Sequence, residues 1–337
     1  MTEHADGPGL IGDIGGTHAR FALTTRDGTV ENIAVLMCDD FPDLFSAIEA
    51  YLDQTRPHTR PARGALAVAC PVSGDSVTMT NRDWSFSTDA LCRRLGFDTL
   101  TIVNDFVAAA AAVPELREGD RLQVGGGTAA VNAPIAVLGP GTGLGVAALV
   151  PGGRGWIPLA TEGGHVTLAA ANDYEADILA GLRRRFGHVS AERALSGPGL
   201  VNLYETVADI KGRKPARLSP EEVTEHGLAG VDSSCLEAVD LFCCFLGTVA
   251  SDLALSLGAR GGVYIAGGIV PALGDAFIHS GFRNRFEEKG RFSEYLAAVP
   301  TLVIVNRYPA LLGLRALLDG QLEQQGEREP SGNSIFI

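Results

Sequence analysis

Twice along this chain an apolar run breaks at a cluster of glycines with a threonine and then resumes as a second apolar run. The first instance is Ile11-Gly12-Asp13-Ile14-Gly15-Gly16-Thr17 before residues 20–24. The second is Val137-Leu138-Gly139-Pro140-Gly141-Thr142-Gly143 before residues 146–150. Each reads as strand, glycine turn, strand, and together they form a weak internal repeat that suggests two similar lobes facing one nucleotide. The pattern also excludes other architectures. The P-loop needs G-x-x-x-x-G-K-[ST], which is absent from the sequence. A dinucleotide fingerprint needs a helix after its glycines, whereas Gly139–Gly145 runs into Val146-Ala147-Ala148-Leu149-Val150, a strand-like run.

The bulk of the chain narrows the reading further. A length of 337 residues exceeds what one hydrophobic core usually supports, so two packed domains are expected. Apolar content of 46% is ample for burial and excludes general disorder. A net charge of −13 argues against a nucleic-acid surface, which needs clustered Lys and Arg. The lysines are Lys211, Lys214 and Lys289 alone, and none lies in a glycine-rich segment. A phosphate site here must therefore rely on backbone N–H groups, a metal ion or arginine. Cys38, Cys70, Cys92, Cys235, Cys243 and Cys244 show no C-x-x-C spacing and read as reduced thiols of a cytoplasmic protein. No export signal opens the sequence and no stretch reads as a membrane span.

Periodicity places the elements. Strands are expected over 10–14, 20–24, 32–37, 64–70, 100–103, 134–138, 146–150, 262–266 and 301–305, with 75–80 as the hairpin partner of 64–70. Helices are expected over 43–52, from a Thr88 cap to Gly96, from Asp105 towards Pro114, and over 173–186, 199–208, 235–257 and 309–318. Ser219-Pro220-Glu221-Glu222 is a helix start with serine cap, proline in the first turn and glutamate three residues on. Residues 321–337 are polar and are expected to form a disordered tail.

Three constellations carry chemistry. The glycine turns are either ordinary tight turns or phosphate cradles, since glycine allows close approach and successive N–H groups converge. Asp13 beside the first would then hold the magnesium of a Mg–ATP complex through water. Asn104-Asp105 ends a strand and starts a helix, so Asp105 either caps that helix or serves as a general base for a substrate hydroxyl. Glu162-Gly163-Gly164-His165 and His188-Val189-Ser190-Ala191-Glu192 group carboxylates and imidazoles. They suit a metal poorly, because Gly163-Gly164 disfavours the helix that would pair Glu162 with His165. A purely structural role and polyol binding both remain open, with His188 and Glu192 four apart as a possible helix-face pair.

Taken in order, Asp13-Ile14-Gly15-Gly16-Thr17-His18-Ala19-Arg20-Phe21, Met79-Thr80-Asn81, Val103-Asn104-Asp105-Phe106, Gly139–Gly145, Glu162–His165, Ser190-Ala191-Glu192-Arg193, Leu195–Leu200 and Ile265-Ala266-Gly267-Gly268-Ile269 resemble the bacterial glucokinases of the hexokinase/actin-like ATPase superfamily. The sequence departs at His18, where many members carry asparagine. No cysteine lies between Cys92 and Cys235, which sets it apart from the zinc-bearing repressor/kinase branch. The resemblance implies an α/β fold of two lobes with ribonuclease-H-like sheets and an active site in the interdomain cleft. The small domain would be 1–113 plus 306–320 and the large one 114–305. It implies transfer of the ATP γ-phosphoryl group to the 6-hydroxyl of glucose, with Asp105 as base. Asn81, Asn104, Glu162, His165 and Glu192 would bind the sugar. Gly15, Gly16, Thr17, Gly141 and Thr142 would contact phosphates, and Gly267 and Gly268 would lie under the adenosine. Magnesium would arrive with ATP and have no direct protein ligand. A homodimer is implied, with no nucleic-acid or membrane partner. A kinase for fructose or mannose, or a non-catalytic sugar sensor on the same fold, are the alternatives.

Overall fold

The computed structural model describes residues 8–25, 27–80, 82–153, 155–320 and 322. Contacts divide the chain into two compact units. One holds the described residues up to Glu115, Leu149–Leu159 and those from Tyr308 on; the other holds Leu116–Ala148 and Ala160–Arg307.

In the first unit β1 (Gly9–Ile14), β2 (His18–Thr24) and β3 (Val30–Met37) form an antiparallel meander. Beside β1, β4 (Arg63–Val68) and β7 (Thr99–Asn104) run parallel to it, giving the order β3-β2-β1-β4-β7. One face buries Phe21, Leu66 and Val68 against Ile48 and Tyr51 of α1 (Leu44–Thr55) and Leu91 and Leu95 of α2 (Thr88–Leu95). Asp43 starts α1 by accepting from the Ser46 N–H at 2.7 Å, as its residue type favours. Elsewhere in this unit α3 (Asp105–Ala111) packs against α12 (Pro309–Leu318). Gly313 makes that contact possible, because a Cβ there would lie 1.9 Å from the Ala108 carbonyl oxygen.

Two expectations fail here. The short β5 (Ser76–Thr78) pairs with β6 (Ser85–Ser87), not with β4. Both sides of β4 are already taken by β1 and β7, so its ladder has no place for a hairpin partner. The cap of α2 is Ser87, whose Oγ accepts from the Ala90 N–H at 3.0 Å, while Thr88 is already helical.

A second sheet is formed by β8 (Arg121–Val124), β9 (Ile135–Pro140), β10 (Leu144–Pro151), β11 (Trp156–Thr161), β12 (Val263–Ile265) and β13 (Thr301–Ile304), in the order β11-β10-β9-β12-β13-β8. Without β8 this order is that of the first sheet, so the repeat seen in the sequence is a repeat of topology. Around it pack α4 (Asp173–Phe186), α5 (Gly197–Ile210), α6 (Pro220–Leu228), α7 (Ser233–Leu257) and the short α8 (Ile269–Leu273), α9 (Asp275–Ile278), α10 (Phe282–Glu287) and α11 (Ser293–Ala297). The Ser219/Glu222 capping box opens α6 as its sequence foretold. Among the described residues α7 alone is long and apolar enough to cross a membrane, but 72% of its most apolar window is buried. It is a core helix, enclosed by α5, α6 and α10. A buried ion pair, Glu175 to Arg285 at 2.6 Å, ties α4 to α10.

Candidate active site

Parallel register decides what meets at the carboxyl edge of the first sheet. Ile14 pairs with Val68, and Val68 with Asn104. The residues that follow β1 and β7, the Gly15-Gly16-Thr17 turn and Asp105, therefore emerge at the same edge, on either side of β4, where open α/β sheets bind ligands. Asn104 is the N-cap of α3. Its Oδ1 accepts from the Phe106 N–H at 2.9 Å and its Nδ2 donates to the Cys70 carbonyl at 3.3 Å. Asn104 thus caps the helix, and the Asp105 Oδ1 shares the Phe106 N–H at 3.0 Å. Burial, then the nearby Asp13 charge, raises the Asp105 pKa from the ordinary 3.8 to about 6. A carboxyl tuned close to neutrality is suited to taking a proton from a hydroxyl.

Asp13 faces Arg20 across the β1–β2 pair, and the Arg20 Nη1 lies 3.1 Å from its Oδ2. Burial pushes the Asp13 pKa up while Arg20 pulls it back. The glycine turn is braced from three directions. The Gly15 N–H donates to the His18 carbonyl at 2.9 Å, the Cys38 N–H donates to the Thr17 carbonyl at 2.9 Å, and Arg82 Nη1 donates to the Gly16 carbonyl at 3.2 Å. Thr17 is exposed at its tip.

In the second unit the same edge logic applies. Ile265 of β12 pairs with Leu138 of β9, so the loops after them are neighbours. Gly267 has φ +84°, and a Cβ there would lie 2.4 Å from the Pro140 carbonyl oxygen, so only glycine fits. Gly141, Thr142, Gly267 and Gly268 share this edge. Glu162 and His165 stand exposed on a 3-10 turn, with the His165 Nε2 3.9 Å from the Glu162 Oε2. Glu192 reaches the same strand end, its Oε2 accepting from the Leu144 N–H at 2.9 Å. Gly163 and Gly164 lie against Val146 and Leu144, where a Cβ on Gly164 would come within 2.0 Å of the Leu144 carbonyl oxygen. Glu162, His165 and Glu192 are thus gathered around the start of β10. No helix face carries His188 with Glu192: the His188 Nε2 lies 3.0 Å from the Thr167 Oγ1, and Glu192 sits on a 3-10 turn. Asn81 and the expected tail, apart from Leu322, lie outside the described residues.

No group of three His, Cys, Asp or Glu side chains capable of holding a metal occurs among the described residues. The donors at the first sheet edge are the carboxylates of Asp13 and Asp105, hard oxygens that suit magnesium kept in its water shell.

The glucokinase family profile matches residues 10–321 of this sequence. The chain belongs to the glucokinase family. A glucokinase of Aromatoleum aromaticum (strain DSM 19018 / LMG 30748 / EbN1) is 52% identical over 316 residues, 94% of this chain and 96% of that one. The crystal structure of a glucokinase from an Antarctic psychrotroph superposes with a TM-score of 0.86 at 38% identity, covering 94% of this chain and 99% of the other. A glucokinase of the ROK family from Streptomyces griseus, solved with glucose and AMPPNP, shares the fold at a TM-score of 0.61 and 18% identity, covering 92% and 99%.

Within this family member, sequence reasoning passed over Arg20 and Arg82. Arg20 was within reach: if β1 ends at Ile14 and β2 begins at His18, antiparallel counting sets residue 20 opposite 13. Nothing local signals Arg82, which bonds a turn 66 positions earlier in the chain.

Proposed function

We infer that this protein is an ATP-dependent glucokinase, transferring the γ-phosphoryl group of ATP to the 6-hydroxyl of glucose to give glucose 6-phosphate and ADP. The observation that carries the chemistry is Asp105, a largely buried carboxyl with a pKa raised to about 6, at the same sheet edge as the braced Gly15-Gly16-Thr17 turn. Asp105 takes the proton of the 6-hydroxyl as its oxygen bonds to the γ-phosphorus and the bond to the ADP oxygen breaks. Little covalent work is left to the protein, so positioning and charge compensation dominate. Asp13, held by Arg20, would keep magnesium through its water shell. When bound, that ion neutralises charge on the phosphate oxygens.

Glu162, His165 and Glu192 supply the mixed donors and acceptors that a ring of hydroxyls needs, with Asn104 and Asn81 assigned to the sugar as well. Gly15, Gly16, Thr17, Gly141 and Thr142 are assigned to phosphates, and Gly267 and Gly268 to the adenosine. That one reaction draws on residues of both units is part of the proposal, as are a homodimeric state, a cytoplasmic setting and a place at the entry of glucose into glycolysis.

A coupled phosphorylation assay with Mg–ATP on glucose, fructose, mannose and N-acetylglucosamine, run side by side, tests the reading. Turnover mainly on glucose is the expected result. Preference for fructose or mannose would reassign the substrate, and glucose binding without turnover on any sugar would replace the kinase by a sensor.

A further inference from the structure

Apart from its own turn bond, the Gly141–Leu144 loop is restrained by segments assigned to the sugar or directly continuous with them. The Leu144 N–H is held by Glu192 Oε2 at 2.9 Å, and the Leu144 carbonyl lies against Gly164, the residue before His165. The Gly141 carbonyl accepts from the Gly197 N–H at 2.8 Å, five residues after Glu192, while the Gly141 N–H closes the turn onto the Gly143 carbonyl at 2.8 Å. Glu192 itself is fixed from behind, because its carbonyl accepts from the Ser196 Oγ at 2.9 Å. Gly143 is a glycine for a related reason. A Cβ there would stand 2.5 Å from Glu192 Oε2, inside any real contact.

We propose that Glu192 is a strut joining the two ligand sites of this unit: a positioning residue that holds the Gly141–Leu144 loop ready for nucleotide phosphate, with Gly143 the small residue that lets it reach. The proposal rests on the reading of this loop as a phosphate contact and of Glu192 as a sugar ligand, and goes beyond both. One carboxylate oxygen serves the loop at all times and the other serves the sugar, so a group assigned to glucose shapes nucleotide affinity before glucose arrives. By linkage, sugar that orders Glu192 further also orders the loop, and nucleotide on the loop favours sugar in turn.

The test is calorimetric titration of Mg–AMPPNP, without sugar, into the wild-type protein and the variants Glu192→Gln, Glu192→Ala and Gly143→Ala. The glutamine keeps an acceptor for the Leu144 N–H and should match wild type within about twofold, whereas losing the bond altogether in Glu192→Ala should weaken nucleotide binding by about tenfold. Gly143→Ala should behave like Glu192→Ala, because its methyl displaces the carboxylate. Amide exchange of the peptide spanning 139–150 should quicken in the two alanine variants while their thermal melts stay cooperative. If Gly143→Ala does not fold, Glu192→Ala carries the test alone, since it removes atoms and crowds nothing.

Nucleotide binding by Glu192→Ala as tight as wild type would overturn the strut. Glucose titrated into the same proteins keeps the underlying reading separate. If Glu192→Ala retains full glucose affinity but loses nucleotide affinity, Glu192 positions the loop without reaching the sugar, and the strut between the two sites is overturned together with the sugar assignment. If wild type binds no Mg–AMPPNP at all, the loop assignment and the strut fall together.

Discussion

At the scale of single residues, Asp105 pits stability against chemistry. Its folded pKa of about 6 lies above the ordinary 3.8, so between those values the native state holds more of the proton than the unfolded chain does. Stability therefore falls as pH rises through that window, and above it the full cost of the buried charge is present. A difference of this size corresponds to about 2–3 kcal/mol. Asp105→Asn removes the charge and keeps an oxygen for the Phe106 N–H. It should raise stability by that amount at pH 7 and by almost nothing below about pH 4, while turnover drops by about 10²–10⁴-fold. Chemical denaturation at both pH values, paired with the coupled assay, checks the two effects together. The wild-type kcat/KM for glucose should fall tenfold per pH unit below about 6, because only the ionised carboxylate accepts the proton. A flat profile down to pH 5, or near-normal turnover in Asp105→Asn, would remove Asp105 from the role of base.

Among the elements, α3 is the one whose placement matters most, since it starts at Asp105. It leans on α12, a helix roughly two hundred residues later, through the notch at Gly313. Filling that notch brings a methyl carbon to 1.9 Å from the Ala108 carbonyl, which the backbone must relieve by shifting. Gly313→Ala should cost about 1–3 kcal/mol of stability and lower kcat more than it raises the KM for glucose, because the shift is carried along α3 to the base. A melt and full kinetics of this variant decide it; unchanged kcat with a lowered melting temperature would confine the effect to packing.

This contact also marks where legibility ends. Residues 173–186 and 309–318 were bounded to the residue because strong periodicity meets clear caps: Asn172 accepts from the Glu175 N–H at 2.9 Å, and Pro309 opens the last helix. The short β8, Arg121-Leu122-Gln123-Val124, alternates polar and apolar over only four residues, too few to betray it. β11 carries Pro158, which reads as a break, yet β11 lies at the sheet edge where proline is tolerated. Pairing partners were harder still. The 75–80 run looked like a hairpin partner of β4 only because the parallel neighbours of β4, contributed by distant segments, leave no local mark.

For the whole molecule, the repeated sheet order explains why a weak echo between two glycine turns carried so much of the fold. Two turns after equivalent strands, β1 and β9, imply two sheets of the same topology, although their glycines meet different neighbours: a Cβ on Gly15 would lie 3.3 Å from the His18 carbonyl oxygen and one on Gly143 2.5 Å from the Glu192 carboxylate. The site was legible to the same extent. Asp13 and Asp105 follow from strand ends, whereas the link from Glu192 to Leu144, 48 positions apart, is visible only once the chain is folded.

Net charge acts at this scale too. A chain with formal charge −13 must admit an anionic nucleotide with only three lysines, none in a glycine loop. Raising ionic strength from about 10 mM to about 150 mM shortens the screening length from about 30 Å to about 8 Å, which weakens long-range repulsion while leaving contacts within the site largely intact. The kcat/KM for Mg–ATP should accordingly rise about two- to fivefold over that range. Glucose is uncharged, so its kcat/KM at saturating nucleotide should stay flat, which separates repulsion of the nucleotide from any general effect of salt on the fold. A fall in kcat/KM for Mg–ATP with added salt would mean that arginines such as Arg20 and Arg82 beside the first glycine turn outweigh the field of the rest of the molecule, making nucleotide capture a local attraction.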